Sequence, residues 1–182
     1  LAGHKTMRNE DLFTLAKRSW AAGDRMLEDA FNYNYSALFE SFRQLRYEEA
    51  IIFGSNIHDI AQKLEDNGKT EKILKSYLLT AQAKIILDEN PGEIDKLIED
   101  SKKLTNNSII ENVEVWSLVI LNVEADACIH DHSGEFIKQI PENQKQLGLT
   151  LQKINSTSSF EVLFAKLSQV RLSKESYNKK YA

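Results

Sequence analysis

The 182 residues, 42% hydrophobic and 27% charged, suffice for one continuous core or for about four helix pairs, and they exclude a disordered chain. A formal net charge of -4 gives no overall attraction to nucleic acid or to an anionic membrane. With one cysteine, Cys128, no internal disulfide can form, which favours a cytoplasmic or other intracellular, reducing compartment.

Taken in chain order, the pattern is helical throughout. Asn9 followed by Glu10 and Asp11 suits a helix start, and Leu12, Leu15, Ala16 and Trp20 share a face. Gly23 divides this helix from one carrying Met26, Leu27, Ala30 and Phe31. The polar run Asn32-Tyr33-Asn34-Tyr35-Ser36 reads as a loop, with Ser36 as a cap. Leu38, Phe39, Phe42 and Leu45 then trace a stripe, as do Ala50, Phe53, Ile57, Ile60 and Leu64 beyond a break or bend at Arg46. Gly54, beside Phe53, suits close approach of two helices.

Asn67-Gly68 is a strong stop, followed by Ile73, Leu74, Tyr77, Leu78, Ala81 and Ile85 at helical spacing. Asn90-Pro91-Gly92 separates these from Ile94, Leu97, Ile98, Ser101 and Leu104, and Thr105-Asn106-Asn107-Ser108 closes that helix. The next, with Val113, Trp116, Val119, Ile120, Val123 and Ala127, needs apolar cover on most sides. His132-Ser133-Gly134 turns the chain again. Pro141 makes 136–140 short or irregular, Leu147, Leu151 and Ile154 share a face, and Phe160, Leu163, Phe164, Leu167 and Val170 form a last helix. The expectation is eight or nine helices in one all-α domain over residues 1–182, or in an excised segment of a larger protein. Short connections favour antiparallel helical hairpins.

At Arg46-Tyr47-Glu48-Glu49-Ala50 the chain resembles the start of the second helix of a tetratricopeptide repeat, with Arg46 where that family has glycine. Gly92-Glu93-Ile94 and Gly134-Glu135-Phe136 resemble the same junction. The resemblance implies a short right-handed solenoid that binds a peptide or protein segment in its groove; a compact helical bundle is the alternative fold.

The expected function is therefore a noncatalytic adaptor or scaffold with a protein or peptide partner, no cofactor, and no direct nucleic-acid or membrane contact. Candidate protein-binding residues are Tyr33 and Tyr35, aromatic with a polar handle, and Asn56, Lys63, Lys84, Asn112 and Asn122, which can satisfy a partner's backbone or charge. The alternatives are a structural or regulatory domain of a larger protein, or an enzyme whose site is assembled from distant residues.

Chemistry finds little footing. Glu124, Cys128 and His132 fall four residues apart, but a helix end near Asp131 would break the alignment, and His130 and His132 match no metal spacing; no metal is expected. His58 and Asp59, adjacent on a helix, do not face one another, and no framed nucleophile accompanies them, so no catalytic residue is assigned. The C-terminal Lys166, Arg171, Lys174, Lys179 and Lys180 are interrupted by acids and suit a solvated helix face.

Overall fold

A computed structural model describes residues 9–64, 68–107, 110, 113–130 and 140–153. Every regular element among them is helical: α1 (Asn9–Ala21), a short 3-10 helix (Gly23–Met26), α2 (Leu27–Arg43), α3 (Tyr47–Ala61), α4 (Thr70–Ile86), α5 (Pro91–Asn107), α6 (Val113–Ile129) and α7 (Ile140–Lys153). The expected last helix at 160–170, the turn at Gly134 and the basic C-terminal residues lie outside the described residues. No described helix is long and apolar enough to cross a membrane. The chain divides into two compact units, Leu1–Ala83 and Lys84–Ala182, with the division inside α4.

In the first unit α2 packs against both α1 and α3. Its centre is the Phe31, Leu38, Phe53, Ile57 and Ile60 cluster, with Ala16, Ala30, Ala37 and Ala50 where the helices come closest. Phe31 and Phe53 are fully buried, each contributing about 1.5–3 kcal/mol relative to exposure. Phe13 of α1 stacks on Phe53 at 5.4 Å, and the Arg46 guanidinium lies 4.8 Å from the centre of the Phe13 ring.

The polar run 32–36, expected as a loop, is instead the middle of α2. Asn34 carries the correction: it is fully buried and its amide donates to the Ala30 carbonyl (2.7 Å) and to the Ala16 carbonyl of α1 (3.3 Å). Asn56 of α3 donates to Asn34 Oδ1 at 2.9 Å, so one side chain ties three helices together. A polar residue that finds such partners no longer favours a turn.

The bend at Arg46 is a true helix end. Gln44 N–H donates to Glu40 O, Leu45 N–H to Phe42 O (3.1 Å) and Arg46 N–H to Ser41 O (2.8 Å), which is the Schellman closure, with Leu45 in the left-handed region at φ 60°. Leu45, expected on an apolar face, is 71% exposed.

From Tyr47 the chain returns along α2 and then reverses again into α4. His58 of α3 stacks on Tyr77 of α4 (4.8 Å), and Gly54 meets Thr80, so α3 and α4 run antiparallel. Lys69 pairs with Glu28 and lies 5.6 Å over Phe31, and Lys72 lies 5.6 Å over Tyr35, so α4 ascends beside α2 in parallel. The contact at Gly54 is the tightest: a Cβ there would lie 1.9 Å from Thr80 Oγ1 and 3.0 Å from Thr80 Cβ. Glycine is required by the crossing itself, as its position beside Phe53 suggested.

In the second unit α6 packs between α5 and α7. Pro91 opens α5, where its missing N–H costs no helical bond, and Asn90 Oδ1 accepts from Gly92 N–H at 2.9 Å. Helix α5 continues through Thr105 to Asn107, past the expected stop, because the buried Ser101 and Thr105 hydroxyls donate to Leu97 and Ser101 carbonyls in their own helix (2.8 and 2.9 Å). Helix α6 buries Leu118, Ile120, Val123, Ala125 and Cys128 on several sides, as its composition required. Lys102 of α5 bridges to Glu99 (2.9 Å) and Glu124 of α6 (3.1 Å). Burial pulls that ammonium down, and the two carboxylates outweigh it, leaving the group above its ordinary value. Pro141 sits in the first turn of α7, where proline is tolerated, and Leu147 is fully buried.

Candidate protein-binding groove

Within the first unit an open, largely apolar groove of about 670 Å³ runs along α2. Tyr35, Phe39 and Phe42 form its floor at positions i, i+4 and i+7, with Leu12 of α1 on one flank and Leu79 of α4 on the other. Helix geometry causes this. Leu38 and Phe39 lie ~100° apart on α2, so the helix that buries Leu38 completely in the core turns Phe39 outward at 41% exposure.

The floor is pre-organised by ring contacts. Tyr35 stacks on the buried Phe31 (6.2 Å, 6° between planes) and tilts against Phe39 (4.9 Å), while Phe42 meets Tyr47 edge-on at 5.4 Å. Burial, with a smaller push from the Glu71 carboxylate, raises the Tyr35 phenol above its ordinary value, so the ring is neutral at physiological pH. At the rim, Glu40 accepts from Arg43 (2.6 and 2.9 Å) and from Gln44 (2.6 Å).

The residues singled out by sequence fall in different places. Tyr35 is in the groove floor, and Tyr33, also on α2, packs half-buried against the core of the first unit. Asn56 is held in the internal pair with Asn34, and Lys63 pairs with Asp24 at 2.8 Å on the surface. Lys84 is buried to 7% exposure and bonded to Glu93 at 2.7 Å, which keeps that carboxyl below its ordinary value. Asn122 is buried in α6, and its Oδ1 accepts no hydrogen bond among the described residues. Asn112 lies outside the described residues. Of the six described, one lines the groove; Leu12, Phe39, Phe42 and Leu79 were not among the residues expected. The signal available was the width of the apolar arc on α2, since Tyr35, Leu38, Phe39 and Phe42 span more of the helix than one covered stripe.

A second, smaller hollow of about 290 Å³ lies between Trp20, Gly23, Leu27 and Ala30, with the Asp24–Lys63 pair at its edge. Among the described residues no three His, Cys, Asp or Glu side chains converge for a metal ion. Glu124 is engaged by Lys102, Cys128 is buried and in no disulfide, and Asp131 and His132 lie outside the described residues. His58 presents its ring to Tyr77. Comparison with known proteins finds no family model, no curated protein and no solved structure that matches this chain.

Proposed function

We propose that the protein is a noncatalytic interaction domain, an adaptor or scaffold that holds a peptide or protein segment in the α2 groove. The observation that carries this is Phe39, an aromatic side chain left 41% exposed in the floor of an apolar groove whose neighbouring rings are already fixed. Rigid aromatic anchors bind with little entropic cost, and recognition grooves for helical or extended segments are built this way.

The alternation of α2, α3 and α4, antiparallel between neighbours and parallel between α2 and α4, supports reading this unit as tetratricopeptide-like hairpins of a short solenoid. Ala50, the small residue of the Tyr47-Glu48-Glu49-Ala50 junction, has no exposure and admits the close pairing that such hairpins need. A sole cysteine, Cys128, buried and in no disulfide, suits an intracellular compartment.

The test is selection of a phage-displayed library of randomised peptides on the intact protein, followed by Phe39→Ser. The variant is expected to bind the selected peptides about tenfold or more weakly, a loss of about 1.4 kcal/mol, and to remain folded with only a slightly lower Tm, because Phe39 is outside the core and gives up its ring contact with Tyr35. Equal affinity for the variant would reject the groove as the binding site.

A further inference from the structure

We draw no further inference here: the strongest candidate, the apolar surface patch formed by the exposed Leu45 beside the α2 groove, is flanked at Tyr35 by both Glu71 and Lys72, and nothing in the structure shows what covers it.

Discussion

Gly54→Ala is expected to destabilise the protein by about 2–3 kcal/mol, although alanine in an ordinary exposed helix position is worth up to about 1 kcal/mol more than glycine. The reversal comes from Thr80. A Cβ on Gly54 would meet Thr80 Oγ1 at 1.9 Å, and rotating the threonine offers no escape, because its own Cβ lies at 3.0 Å and its Cγ2 at 3.1 Å. The hydroxyl is also committed to the Ser76 carbonyl at 2.7 Å. Helices α3 and α4 would have to move apart, opening the contact between His58 and Tyr77 one turn away. Urea denaturation of Gly54→Ala, Thr80→Ala and the double variant measures the effect. Thr80→Ala should restore part of the loss, since it removes Oγ1 and Cγ2 and leaves Cβ, and the cycle should be non-additive by more than about 0.5 kcal/mol. A Gly54→Ala protein as stable as the wild type would show that the crossing has slack.

Asn34→Asp should cost more, about 3 kcal/mol at neutral pH, and the cost should depend on pH. The native amide donates to two carbonyls, Ala16 O and Ala30 O, and accepts from Asn56. A carboxylate keeps the accepting role but faces the two carbonyl oxygens with negative charge, in a fully buried position. The folded variant therefore holds the carboxyl protonated, its pKa raised above the unfolded value of about 3.9. A raised pKa contributes stability that is fully present below the unfolded pKa and is lost as pH rises through the folded one. The variant should accordingly approach wild-type stability near pH 3–4 and fall away from it towards pH 7, by thermal denaturation across that range. A difference from wild type that is constant with pH would show that Asn34 does not reach the carbonyls of both helices.

These two residues mark what could be read from sequence and what could not. Gly54 was legible, because a glycine inside an apolar helical stripe has few roles other than a turn or a close approach. Asn34 was not. It sits in the polar run 32–36, and local chemistry favours a turn there; only the carbonyl of Ala16 and the amide of Asn56, distant in sequence, make it a core residue. The same competition lengthened α5, where Thr105 reads as a loop residue until its hydroxyl is given the Ser101 carbonyl.

The all-helical character and most helix breaks followed from apolar spacing and from Gly23, Gly68 and Pro91. The groove did not, although its residues were in view. Periodicity assigns Phe39 and Leu45 to a stripe, but which side of a stripe is covered depends on how many helices pack there. In α2 the apolar arc is wider than α1 and α3 cover, and the uncovered edge is the groove. Tyr35 was chosen for its polar handle, and it belongs to the site through its ring contacts with Phe31 and Phe39. Lys84 and Asn122 show the converse. Polar type suggests a surface role, yet Lys84 is buried against Glu93 and Asn122 is buried in a helix covered on several sides.

Amide hydrogen exchange of the intact protein, with and without a peptide selected on it, tests the central claim most directly. Binding through the α2 groove predicts slowed exchange over 35–46 in α2 and its closing turn and around Leu79 of α4, with α5, α6 and α7 unchanged. Protection confined to α5–α7, or to the hollow beside Trp20, would contradict the account and place the partner elsewhere.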